Sequence, residues 1–292
     1  FHCRLFNIGG EGQAYLGGLG VFLVAINFSF LPVPVVWLLA TAGAVVFGAA
    51  WAYIPAYLQA KRGSHIVITT IMFNFIASSL MVFLLVDVIR DFKQMGPHTV
   101  ALPKELWFPT FKELANLFGL KIRYSPLNLS FLIAIAASFF VWFLIWKTKW
   151  GYEMRAVGHN TKAAIYAGIS PHKNIIIAML ISGGLAGMLG INEILGVHHK
   201  IVAGFPAGYG FTGIAVALMG RNHPVGIFPA AFLFGILYQG GSEVTFDMPN
   251  ITRYMFVAVQ GVIILFSGAL ENLFRPQIES FFVNRINKEK MA

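Results

Sequence analysis

The chain alternates long apolar runs with short polar breaks, and its charges fall in clusters. Residues 12–60 hold no Asp, Glu, Lys or Arg, and neither do residues 63–86, 124–146, 174–192, 201–220, 222–242 and 254–270. A helix crosses the roughly 30 Å hydrocarbon core with about 20 apolar residues. Most of these gaps fit one crossing each, and the first fits two. Backbone groups find no water partner in lipid, so helices, which pair them internally, are the expected form. The pattern predicts about eight hydrophobic segments, near residues 14–31, 35–60, 65–89, 127–146, 174–197, 207–220, 224–240 and 252–274. Pro32 and Pro34 part the first two. A polar loop, residues 90–126, follows the third, with room for a short helix near 104–118. The fold class is therefore all-α: a polytopic transmembrane helical bundle. Residues 1–275 read as one transmembrane domain and 276–292 as a polar tail.

Composition agrees. The 292 residues are 57% hydrophobic and 11% charged, where about 25% charged is usual for a soluble domain. The net charge of +9 would suggest nucleic acid in a soluble protein. Here the positive-inside bias accounts for it, and no basic stripe interleaved with aromatics supports a nucleic-acid partner. Placing residues 147–173 on the inside puts thirteen of the 21 Lys and Arg there. The main exception is the 90–126 loop, which carries six on the outer side. The one cysteine, Cys3, rules out an internal disulfide framework. The opening at Phe1 shows no signal-peptide pattern, and further sequence is expected upstream.

Helix punctuation marks the inside loop. Asn160 can cap a helix over residues 161–167, and Gly168 suits a left-handed stop. Ser170 then caps the next helix, with Pro171 in its first turn. A short helix thus lies between two spans. It either rests on lipid headgroups or docks a cytoplasmic partner. Ala163, Ala164 and Ala167 bury little area in lipid and would let a partner surface come close, which favours docking.

The stretches GYEMRAVGHNTKAAIYAGI, LISGGLAGMLG and GFTGIAVALMGRNHPVG resemble the binding-protein-dependent permease family of ATP-binding-cassette (ABC) importers, which serves branched-chain amino acids, simple sugars and nucleosides. The opening LFNIGGEGQ and the run VITTIMFNFIA are most similar to its simple-sugar/nucleoside branch. The resemblance implies a multi-pass permease subunit of the bacterial cytoplasmic membrane. It implies a second permease, homologous or identical, two cytoplasmic ATPase subunits and an extracytoplasmic solute-binding protein. It also implies that residues 155–169 form the coupling helix in a groove of the ATPase, with Arg155, Gly158, Asn160, Ala163, Ala164 and Gly168 in the contact. Two departures stand out: the family carries more hydrophobic sequence before LFNIGGEGQ, and a Glu is expected where this chain has Ile66. The chain has no G-x-x-x-x-G-K-[ST] phosphate loop, so ATP and its hydrolysis are expected on the partner. No cofactor or metal is expected, and no catalytic cluster stands out.

Transporter sites sit where helices break near the bilayer midplane, and the sequence sign is a pair of short Gly- or Pro-interrupted segments. NIGGEGQAYLGGLG and GFPAGYGFTGIAVALMG form such a pair, although their glycines would also serve tight helix packing. The polar candidates for the solute pathway are Asn7, Glu11, Gln13 and Asn74, with Tyr209 and Phe211 as stacking partners. For Asn74, bonding to a neighbouring helix is the commoner role of a buried amide. Glu193 would reach the interface or pair with His198 or His199. Those adjacent histidines face different ways on a helix and make a poor metal site. The rival class is a secondary transporter or channel for a small polar solute, with Glu11 or Glu193 binding the coupling ion. A membrane-embedded enzyme would need a polar cluster that the sequence lacks.

Overall fold

The computed structural model describes residues 1–266 except 94, 118, 120–124, 249, 251, 253, 254 and 264. The chain divides into two compact units, residues 1–212 and 213–292. Among the described residues the secondary structure is helical, with two isolated β-bridges.

In the first unit, helices α1 (Gly10–Asn27), α2 (Val33–Arg62), α3 (Ile66–Phe83) and α5 (Ser130–Lys147) are followed by α6 (Lys149–His159), α7 (Thr161–Tyr166) and α8 (Pro171–Gly187). α4 (Phe111–Leu117) is a short helix of the 90–126 loop, and α9 (Leu189–Ile191) is a single turn. π-helical turns extend α3 over Leu84–Val88 and α9 over Asn192–Val197. Among the described residues, five helical stretches are long and apolar enough to cross a membrane: Val33–Arg62, Ile66–Val88, Ser130–Lys147, Pro171–Val197 and Pro224–Asp247. The first predicted segment, 14–31, is displaced. Its helix is α1, which starts four residues earlier at Gly10 with Glu11 in the first turn and ends before Pro32. An acid there complements the helix dipole, so the Gly-rich opening is helical rather than loop.

The local logic of the ends is plain. α2 begins after Pro32 and ends at Gly63, whose φ of 68° is the left-handed stop that glycine adopts without a Cβ clash. Lys61 and Arg62 sit in its last turn, facing the negative end of the dipole. α1, α2 and α8 pack through small residues. A Cβ at Gly48 would collide with Gly183 and Gly187, and one at Gly17 with Gly187. Without side chains the backbones approach closely, as small-xxx-small pairs allow.

The 90–126 loop is not a loose polar excursion. Leu102, Leu106 and Phe108 are buried in the main core with Val36, Ala40, Leu85, Ile194, Leu195 and Ile201. Each such burial contributes about 1.5–3 kcal/mol. The Trp37 indole N–H donates to Leu106 O at 2.8 Å, and Phe108 N–H donates to Leu195 O at 2.8 Å. The short helix expected near 104–118 is split by Pro109 into a 3-10 turn at Lys104–Leu106 and α4.

In the second unit, α10 (Tyr209–Met219, begun in the first unit) and α11 (Pro224–Asp247) turn tightly where Gly220 meets Gly226. Val216, Ala230 and Phe234 form its small core. The eighth predicted segment is described only in part, helical at residues 255–263, and the tail 276–292 lies outside the described residues.

Candidate functional site

The entry to α1 is a break inside the bundle. Residues 1–9 are not helical, yet Cys3 and Leu5 pack against α6, α7 and α8. The break lies beside Asn74, eight residues into α3, and Ser182, eleven residues into α8. At about 1.5 Å per residue that is about 12–16 Å from the ends of those helices, near mid-depth. Irregular backbone at that depth needs internal partners, and side chains supply them. Thr70 Oγ1 accepts the Ile8 N–H at 3.3 Å. Asn74 spends both ends of its amide on this backbone: Nδ2 donates to Ile8 O at 2.8 Å and Oδ1 accepts the Gly12 N–H at 2.9 Å. Asn7 Oδ1 accepts the Gly9 N–H at 2.9 Å, while its Nδ2 donates to Ser182 Oγ at 2.9 Å and Gln13 Oε1 at 3.0 Å. Gln13 and Thr70 are fully buried.

A second break meets the first. Residues 204–210 pass through left-handed backbone at Gly204, Ala207 and Gly208, then start α10. The first N–H groups of a helix have no partner within it. Here the Glu11 carboxylate supplies one: Oε1 accepts the Gly208 N–H at 2.8 Å and Oε2 the Gly210 N–H at 2.9 Å. Gly210 lies flat against Gly10 and Glu11, where any Cβ would collide. One turn along α1, the Tyr15 ring stacks edge-on with Phe205 at 5.3 Å. Phe205 also fills the space over Gly18. Residues 11, 15 and 18 share one face of α1, and that face holds the whole segment.

At the basic end, α6 and α7 form an elbow. Thr148 caps α6 by accepting the Gly151 N–H at 3.2 Å, and Asn160 caps α7 by accepting the Ala163 N–H at 3.1 Å. Gly168, at φ 76°, and Ser170 close the segment as the punctuation predicted. The single coupling helix expected over 155–169 is instead two helices, because Asn160 takes an extended backbone between them. α6 was not foreseen. It is amphipathic, with Gly151, Met154, Val157 and Gly158 buried on one face. Asn174 of α8 donates to Glu153 Oε2 at 3.3 Å and so braces α6. Gly158 sits against His2 and Cys3, and Ala164 is buried beside Val157 and Cys3. These two seat the elbow on the bundle. Arg155 is half-buried and donates to Gly151 O at 3.4 Å. The elbow exposes Lys162, Ala163, Ile165 and Tyr166, the last at 93%. A cavity of about 510 Å³ lined by Arg4, Gln59, His159, Asn160 and Lys162, among others, opens beside it.

At the far end, Glu193 lies in the π-helical turn, with its carboxylate 3.5 Å from His198 and accepting from Asn192 Nδ2 at 3.0 Å. Asn128 and Ser130, at the start of α5, both donate to Asn192 Oδ1, at 3.1 and 2.8 Å. His199 stacks on Trp107 at 3.6 Å, so the two histidines do face different ways. Burial lowers the His199 pKa, against the opposing pull of the Leu195 carbonyl.

Thus Asn7, Glu11, Gln13 and Asn74 gather at one node, and Tyr209 and Phe211 lie at the start of α10 beside it. Thr70 and Ser182 belong to the same network and were missed, as was Tyr15, which stacks on Phe205. For Tyr15 a signal existed: it is one helical turn from Glu11. Ile66, where the resemblance leads one to expect a Glu, is buried with Ala56 and Met179.

Residues 1–268 match the family described as the branched-chain amino acid transport system / permease component. The chain is 36% identical to a glucose ABC transporter permease protein of Haloferax volcanii, over 97% of this chain and 74% of that protein. It is 36% identical to a guanosine ABC transporter permease protein of Bacillus subtilis, over 91% and 74%. It is 34% identical to a nucleoside ABC transporter permease protein of Lactococcus lactis, over 87% and 70%. No solved structure matches. Apolar helices, a broken interior and a basic elbow thus coincide with a family match along almost the whole chain. The chain belongs to this family of ABC transporter permeases, as a multi-pass subunit of the bacterial plasma membrane that passes small polar solutes and implies ATPase and solute-binding partners.

Proposed function

We propose that the chain is one permease of an importer for a nucleoside or simple sugar, driven by ATP bound and hydrolysed on a separate ATPase subunit. A second permease, identical or homologous, completes the pathway, and an extracytoplasmic binding protein delivers the solute. The observation that carries the reading is the α6–α7 elbow. It is capped, braced to α8 through Asn174 and Glu153, and seated by Gly158 and Ala164, yet it offers Ile165 and Tyr166 to solvent. A rigid lever with an apolar tip fits a motor that grips it. Ala163 and Lys162 flank that tip, while Arg155, Asn160 and Gly168 shape it. The solute passes where α1 and α10 begin. Asn7, Gln13 and Asn74 keep the broken backbone satisfied there, and Glu11 stands between the two starts. Tyr209 and Phe211 offer ring faces beside them. The nucleoside and sugar permeases among the similar proteins support this solute class.

The test is uptake of labelled nucleosides and sugars into vesicles holding the chain with its neighbouring ATPase and partner permease. ATP-dependent uptake of a nucleoside or sugar is the expected result. Uptake without the ATPase, driven by an ion gradient, would assign the chain to the secondary transporters.

A further inference from the structure

The four pathway candidates at the α1 break do not have equal standing. Asn7 and Gln13 bond to each other, Asn7 and Asn74 to the backbone of residues 8–12, and Asn7 also to Ser182 of α8. Of the four, Glu11 is the one whose side chain bonds to residues 204–210, at Gly208 and Gly210. Both carboxylate oxygens are used, on two N–H groups that α10 cannot satisfy itself. The helix starts of α1 and α10 meet here backbone to backbone at Gly10 and Gly210. Their positive ends face a common point, and the carboxylate fills it. Tyr15 and Gly18 extend the hold to Phe205 on the same face of α1.

We infer that Glu11 is a positioning residue for translocation: a carboxylate cap supplied by a distant helix of the same chain that latches residues 204–210 to α1 and sets where the pathway wall stands. The latch rests on the permease reading, but it acts on the wall rather than on the solute. Its chemistry demands a carboxylate. A Gln of the same size accepts with one atom only and turns an N–H toward an N–H, leaving one backbone donor unpaired in the bundle. An Asp keeps the charge but is one methylene too short to hold both donors across the Gly10–Gly210 contact. Glu11 therefore controls how often the segment leaves α1, and the solute's own affinity does not depend on it.

Phe205 is buried under the latch, so a cysteine there reports release. In a Cys3→Ser, Phe205→Cys background, the assembled transporter in membranes is treated with a maleimide in the absence of ATP and solute. Glu11→Gln is expected to raise the labelling rate about tenfold or more, since a charge-assisted hydrogen bond is lost. Glu11→Asp should fall between Glu and Gln. In the Cys3→Ser background with Phe205 intact, transport by Glu11→Gln should lose maximal rate, with KM changed by less than about twofold. Equal labelling rates in Glu and Gln forms would overturn the latch, and a raised KM alongside them would make Glu11 a solute contact. Should the Gln form fail to yield a monodisperse complex, the Asp form decides by the same comparison. The labelling is read without solute, so it stands even if uptake of nucleosides and sugars fails.

Discussion

Single residues in this permease are chosen by what the broken backbone lacks. A lone Asn in an apolar helix reads from sequence either as a tie between helices or as a solute contact. Asn74 is a tie of a particular kind, holding Ile8 O and Gly12 N–H together. That was illegible because the sequence gives no sign that residues 1–9 run unwound beside α3. The two histidines were legible in their divergence. His199 adopts a left-handed φ of 56° and stacks on Trp107. Such a backbone is costly for a non-glycine residue and persists only where surroundings fix it. Because burial lowers its pKa, His199 in the folded protein binds fewer protons than in the unfolded chain below the ordinary value of about 6.5. The contribution of His199 is fully present above about pH 6.5 and declines as pH falls below it. Trp107 fluorescence should therefore change on titration from about pH 8 to pH 5. Trp107→Phe or His199→Gln should remove that change.

At the scale of elements, the sequence was most informative where chemistry is local. The caps at Asn160 and Ser170 and the stop at Gly168 stand where the punctuation placed them. α6 escaped notice because its apolar face is built partly from Gly151 and Gly158, which carry no hydrophobic signal. The same silence hides a close contact between helices. Gly48 and Gly183 bring α2 and α8 together at backbone distance, and Ala52 closes over Gly183. Gly183→Leu should destabilise the protein by about 3 kcal/mol or more, since the collision is with backbone that cannot yield. A thermal-shift assay in detergent would read this as a large fall in Tm. Val46→Leu, which adds one methylene at an exposed position of α2, should leave Tm unchanged.

For the whole molecule, charge-free runs sufficed to predict an all-α membrane bundle, and five long apolar helices among the described residues answer to them. The 90–126 loop was harder. Its polar residues masked Leu102, Leu106 and Phe108, spaced as anchors that pin it onto the core. The pairing of the two Gly-rich breaks was anticipated, but which atoms joined them depends on a contact between Glu11 and Gly208 that no local pattern encodes. A coupling role requires the elbow to stand on the cytoplasmic side of the membrane and the ATPase to cover it there. Accessibility of a single cysteine at Lys162→Cys, in a Cys3→Ser background, measures both at once. A membrane-impermeant maleimide should leave it unmodified in intact cells, label it in inside-out vesicles, and label it much more slowly once the ATPase subunit is bound. Labelling from outside intact cells, or labelling in vesicles that the ATPase does not slow, would contradict the account.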